Sequence, residues 1–265
     1  MIFASDLDRT LIYSKSFIKD EMKDVFPVER KDEIDLSYMS EKSIALLSLL
    51  SNKTTFVPVT SRSLEQFRRV FFIKENLTYK YAIVANGGIL LKDDKIDLTW
   101  KGNIEKQMAE IVPPEEFLLK LDTFLKNPEI NSFRCCDKLF IYIVLKTEYI
   151  EDGYVESLEE LCNMHGYGTV KNNRKIYIIP FFINKWAPLK YIMEMEQESE
   201  VFSAGDSILD LPMLKNSTKG FVPAHGELNN DYRNIFAENK NLQCTKENGI
   251  YASEEFLDII NKMII

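Results

Sequence analysis

Histidine is scarce in this chain. Only His165 and His225 occur among 265 residues, so a mechanism built on a histidine triad starts without its usual parts. Cysteine is nearly as sparse, and Cys135, Cys136, Cys162 and Cys244 show no C-x-x-C spacing. That argues against a structural zinc site and reads as reduced thiols in a cytoplasmic protein. No stretch approaches the roughly 18 consecutive apolar residues of a membrane helix. The opening MIFASDLDRT has no basic leader and meets an aspartate at position 6, so it reads as a cytoplasmic start and not a signal peptide. Positive charge is short as well. The formal net charge of −8 lacks the basic balance of a nucleic-acid binder, while a local pocket of opposite sign remains open to an anionic substrate.

What is present is the apolar material of a folded α/β protein. At 45% apolar and 12% aromatic the chain can build one large core or two modest ones. MIFAS is a short apolar run that stops at Asp6, as a buried parallel strand does. SEKSIALLSLLSN has apolar positions at helical spacing, with Ser40 or Ser43 as its cap. TTFVPVTSRS reads as a second buried strand, LEQFRRVFFIKEN as a helix, and YAIVANGG as a third strand closed by Asn86, Gly87 and Gly88. Residues 11–39 are a long polar connection, open to reading as a solvated face or as a substrate-side flap.

The rhythm then changes. GILLKDDKIDLTW reads as a hairpin about Asp93 and Asp94, and PPEEFLLKLDTFLKN as a helix starting after prolines. KLFIYIVLKT is strongly β, EDGYVESLEELCNMHG is helical up to Gly166, and YGTVKNNRKIYIIP turns back at Asn172–Asn173. Afterwards helix and strand alternate again, through NKWAPLKYIMEMEQES, VFSAGDS, DLPMLKNS, KGFVPA and SEEFLDIINKMI. The pattern predicts a doubly wound, Rossmann-like parallel sheet core over residues 1–88 and 181–265, with an inserted α+β cap domain at 89–180.

In such a sheet, ligands gather beyond the carboxyl ends of the strands. Asp6, Asp8 and Thr10 follow the first strand, Thr60 and Ser61 the second, and Asp206, Ser207 and Asp210 a later one, while Lys185 opens the helix that re-enters the core. Each feature alone has a plain explanation: aspartates cap turns, and a lone lysine is usually solvated. As an ordered set they stand out. Asp6-Leu7-Asp8-Arg9-Thr10, Thr60, Lys185 and GDSILD at 205–210 resemble the four ordered motifs of the haloacid-dehalogenase-like (HAD) hydrolase superfamily. An α/β insert between the second and third motifs, and ANGG after the third strand, are similar to the branch of the Cof-type and sucrose- or trehalose-phosphate phosphatases.

The resemblance implies a Mg²⁺-dependent phosphatase acting on a small phosphorylated metabolite, with sugar phosphates as the class. It assigns Asp6 as nucleophile, Asp8 as acid/base, Lys185 as the neutralising cation, and Thr60 as hydrogen-bond donor to a phosphoryl oxygen. The metal would be held by Asp6, the Asp8 carbonyl, Asp206, and Asp210 directly or through water. Thr10, Ser61, Arg62 and Asn86 complete the substrate-binding set. These types suit the chemistry. A carboxylate attacking a phosphate dianion meets repulsion that a cation must relieve, and an aspartyl-phosphate divides one hard step into two. A phosphosugar mutase of the same superfamily and a non-catalytic metabolite-binding module are the competing readings. Three positions depart from the family pattern: Arg9 and Ser61 stand where glycine is usual, and Leu209 where asparagine is common. In the insert, Arg134, Lys138, Arg174 and Lys175 are candidate anion contacts.

Overall fold

The computed structural model describes every residue except Asp20, Asp152 and Ile265. Its strands, in chain order, are β1 (Ile2–Asp6), β2 (Tyr13–Ser14), β3 (Val25–Lys31), β4 (Ile34–Ser40), β5 (Thr55–Val59), β6 (Tyr81–Val84), β7 (Ile89–Lys92) and β8 (Lys95–Ile96). They continue with β9 (Ile130–Cys136), β10 (Phe140–Leu145), β11 (Tyr167–Asn172), β12 (Lys175–Pro180), β13 (Val201–Ala204), β14 (Lys219–Val222) and β15 (Leu242–Cys244). The chain packs as two compact units, residues 1–96 with 185–265, and residues 97–184.

The first unit is built on an eight-stranded sheet of order β15-β14-β13-β1-β5-β6-β7-β8. β1 is buried along its whole length and lies between two parallel neighbours, β13 and β5. From β1 the chain winds outward through β5 and β6, then returns to the other side through β13, β14 and β15. The order therefore reverses at β1, and the crevice of a doubly wound sheet opens beyond its carboxyl end. Continuous apolar strands such as β1 and β6, every residue buried, are what a sheet covered on both faces demands.

The helices are set by local chemistry. Ser40, not Ser43, caps the helix Glu41–Lys53: its hydroxyl accepts the Ser43 N–H at 3.1 Å. Ser43 is buried instead against Ser253 of the last helix, Ile250–Met263, with 2.8 Å between hydroxyls. The stretch 64–76, expected as one helix, breaks at Arg69–Val70 into Leu64–Arg68 and Phe71–Asn76.

One expectation needs correction, and one segment left open gains a structure. The hairpin at 89–96, assigned above to the insert, extends the first unit's sheet: β7 pairs antiparallel with β6, and β8 with β7. The turn at Ala85–Gly87, with φ of 50°, 55° and 102°, folds the chain back on itself, so β7 finds its partner in the preceding strand. The connection 11–39 holds most of a small sheet of order β2-β4-β3. Its hairpin turns at Asp32 and Glu33, both left-handed (φ 48° and 64°). No glycine marks that turn, which is why the sequence reads only as a long polar connection.

The second unit carries a four-stranded antiparallel sheet of order β11-β12-β10-β9. Ile141, Ile143, Ile176 and Ile178 from the sheet pack with Phe117 and Leu158 from helices Pro114–Lys120 and Tyr154–Asn163. Asp152, expected within the second of these helices, lies outside the described residues. The turn between β11 and β12 falls at Asn173–Arg174, since Asn172 pairs with Lys175. A helix at Leu98–Met108 replaces the tail of the expected hairpin, because Asp97 accepts the Trp100 N–H at 2.8 Å and caps it. Asp97→Ala should therefore destabilise the second unit by about 1 kcal/mol, read as a lowered urea midpoint with unchanged slope.

Candidate active site

Three adjacent strands deliver two acids and a hydroxyl. β1 ends at Asp6, β5 runs into Thr60, and β13 runs through Gly205 into Asp206. Asp6, Asp206 and Asp210 are all buried, and each offers a carboxylate oxygen within 4.8 Å of those of the other two. Lys185 Nζ, equally buried, donates to Asp6 Oδ1 at 2.6 Å and to Asp210 Oδ1 at 2.5 Å. The remaining oxygen of Asp210, Oδ2, accepts from the Ser207 N–H and hydroxyl at 3.0 and 2.9 Å. Both Asp210 oxygens are thus engaged, which makes it the clamp on Lys185 and on the 206–210 loop. Gly205 permits this closeness: a Cβ there would lie 2.4 Å from Asp210 Cβ.

Three buried carboxylates face two cations, Lys185 and the Arg9 guanidinium beside Asp206, which leaves the cluster short of positive charge. Burial, and next the Asp210 charge, raise the Asp6 pKa to about 7 despite the opposing pull of Lys185. Burial and then Asp6 push Asp206 well above the ordinary carboxylate range. Such an all-oxygen, anionic set fits a hard divalent cation. Asp6, Asp206 and Asp210 are the residues grouped closely enough to hold it, Asp210 being bound also to Lys185 and Ser207.

Arg9 approaches the same cluster, its Nε 3.4 Å from Asp206 Oδ2 and its guanidinium 5.6 Å from the Phe17 ring centre. Its φ of 61° is the left-handed backbone that glycine adopts without cost, so arginine keeps the turn and adds a charge. His225 supports that turn. The Gly249 N–H donates to His225 Nδ1 at 3.0 Å, so the ring proton sits on Nε2, which donates to the Arg9 carbonyl at 2.9 Å. Burial lowers the His225 pKa, in keeping with this neutral form.

The other expected site residues divide. Thr60 is fully buried, and its hydroxyl accepts the Arg62 N–H at 3.2 Å, leaving its own proton to donate elsewhere. Thr10 Oγ1 and Asn86 Oδ1 are buried without a hydrogen-bond partner, the condition of groups that await a ligand or water. Asn86 joins the Thr60 loop through its N–H to the Thr60 carbonyl, 3.0 Å. Ser61 is half-buried in that loop. Arg62 is not poised toward an incoming anion. Its Nε and Nη2 grip both oxygens of Asp8 at 2.7 Å, and its other face meets Glu29 at 2.8 and 2.9 Å. In the second unit, Lys138 pairs with Glu115, Arg174 meets the Lys146 carbonyl, and Lys175 lies over the Tyr142 ring.

Glu29 is the residue that sequence reading missed. Its only signal is an acid directly after the apolar run VFPV. Ser207, also unassigned from sequence, proves to be the partner of Asp210.

Because cation binding requires ionised Asp6 and Asp206, it must displace protons below pH about 7, the value to which Asp6 is raised. Affinity for Mg²⁺ or Mn²⁺ should rise by at least about tenfold per pH unit below that point; calorimetric titrations in buffers of different ionisation heat would count the released protons. The apoprotein follows the opposite course. Unfolded Asp6 loses its proton near 3.8, so this group's contribution to stability falls as pH rises from about 4 to about 7.

No family model and no curated protein matches this sequence. Solved structures do. The sucrose-phosphatase of Synechocystis sp. PCC6803, solved with sucrose and phosphate, superposes with a TM-score of 0.70 at 13% identity, over 98% of both chains. A trehalose-6-phosphate phosphatase related protein gives 0.60 at 14% identity, over 99% of this chain and 98% of the other. The HAD subclass IIB sugar phosphatase BT4131 gives 0.64 at 12% identity, over 100% and 99%. Across nearly its full length, the chain has the fold of the HAD-superfamily phosphatases.

Proposed function

We propose that this protein is a Mg²⁺-dependent phosphohydrolase that cleaves a small phosphorylated metabolite by way of an aspartyl-phosphate on Asp6. The observation that carries this reading is the buried Lys185 ammonium between Asp6 and Asp210, with Asp206 in the same cluster. Asp6 Oδ1 is held by Lys185, which leaves Oδ2 to attack phosphorus. Lys185 offsets the charge gathered between that carboxylate and the phosphoryl group. The Thr60 hydroxyl donates to a phosphoryl oxygen, and Thr10 and Asn86 supply further polar atoms. Asp8 gives a proton to the departing oxygen, then takes one from the water that hydrolyses the intermediate. A divalent cation on Asp6 and Asp206, with the Asp8 carbonyl, would supply Lewis-acid stabilisation of the phosphoryl oxygens.

The sugar phosphatases among its structural neighbours favour a sugar phosphate as substrate. The four cysteines are unbridged, and no helix among the described residues is long and apolar enough to cross a membrane; both support the cytoplasm as its place of action.

Phosphate release from a panel of phosphorylated metabolites, with and without Mg²⁺, tests the proposal. Release should require the metal, and Asp6→Asn should lower it by about 10³-fold or more, as expected when a covalent nucleophile is lost. A folded, Mg²⁺-bound wild type that releases no phosphate from any compound would refute it.

A further inference from the structure

Glu29 is a carboxylate in a place where a charge needs a reason. It is 1% exposed and belongs to β3, in the hairpin within what the sequence shows only as a long polar connection. The pairing of β3 with β4 is irregular at this residue. Register shifts flank it, Pro27 facing Tyr38, Glu29 facing Ser37, and Arg30 facing Asp35. In consequence Val28 and Glu29 are both buried, against the alternation of a regular strand. Bulges of this kind re-aim a side chain, and this one turns Glu29 toward Arg62.

The contacts are extensive. Arg62 Nη1 lies 2.8 Å from Glu29 Oε1, and Arg62 Nη2 donates to Glu29 Oε2 at 2.9 Å. Ser37, across the ladder, donates its hydroxyl to Oε2 at 2.6 Å, and Arg69 Nε stands 3.5 Å from Oε1. Arg62 in turn grips both oxygens of Asp8, and its Nη2 is shared between Asp8 and Glu29. A guanidinium is planar and rigid, so fixing one edge fixes the other. Asp8 itself is half exposed, at 49%, and Arg62 binds both of its carboxylate oxygens.

We infer that Glu29 is a positioning residue for Asp8, acting through Arg62: the bulged hairpin sets the guanidinium plane that orients the acid/base. The inference rests on the acid/base role proposed for Asp8. Glu29 touches neither substrate nor reacting atoms.

The test compares two generic esters, phenyl phosphate and p-nitrophenyl phosphate, in single-turnover reactions with Mg²⁺. Phenoxide is the poorer leaving group and depends more on a positioned acid. Glu29→Gln should slow phenol release by about tenfold, with the half-saturating concentration within about threefold, and slow nitrophenolate release by less than about threefold. Equal slowing of both esters, or of neither, overturns the inference. Should Glu29→Gln fail to fold, Ser37→Ala removes only the 2.6 Å donor to Glu29 and should show the same selectivity in weaker form. A wild type that cleaves neither ester counts against the phosphatase reading. The placement is then decided apart from turnover: a crystal structure of Glu29→Gln that keeps the Arg62–Asp8 pair unchanged overturns it, and one in which the pair is broken or turned upholds it.

Discussion

Lys185 Nζ holds the candidate site together. It lies between Asp6 and Asp210, with all three groups buried. Removing one partner from such a buried set costs about 3–5 kcal/mol, because the remaining charge is stranded. The fold is arranged to make the contact. Asp6 ends the central strand, Asp210 follows the adjacent β13, and Lys185 begins the helix Trp186–Glu196. Segments nearly 180 residues apart thus meet at one nitrogen. The excess of carboxylates over cations leaves the cluster net negative, a charge and donor set that fits a divalent cation.

Around that centre lies a second layer of charge, arranged differently. Arg9 and Arg62 each approach an acid of the DLDRT motif or of its neighbour, and neither is left to solvent. Arg9 sits on a left-handed turn buttressed by neutral His225, beside Asp206. Arg62 is shared by Asp8 and Glu29. The two arginines divide the labour physically: one adds positive charge beside Asp206, and the other holds both oxygens of Asp8. Leu209, where an asparagine is common in similar sequences, is buried and apolar, and Ser207 holds Asp210 with its N–H and hydroxyl.

Much of this was legible in the sequence. Short apolar runs ending in Asp6, Thr60 and Asp206 predict parallel strands and the residues at their carboxyl ends, because a strand buried on both faces leaves no other pattern. Period-3.6 runs likewise marked the helices Glu41–Lys53 and Trp186–Glu196. The hairpin β3–β4 was not legible. Its turn uses Asp32 and Glu33 in place of glycine, and its inward acid arises from a bulge that no local periodicity encodes.

What the sequence determined by itself was the local code: which segments become strand or helix, and which polar types end them. Only the tertiary structure decided partners. That Asp210 is clamped by Lys185 and Ser207, that Arg62 serves Asp8 and not an open pocket, and that β7 and β8 extend the main sheet all depend on contacts across strand order and register. Those contacts join residues far apart in the chain, and their energies depend on burial and distance, which one-dimensional order does not fix.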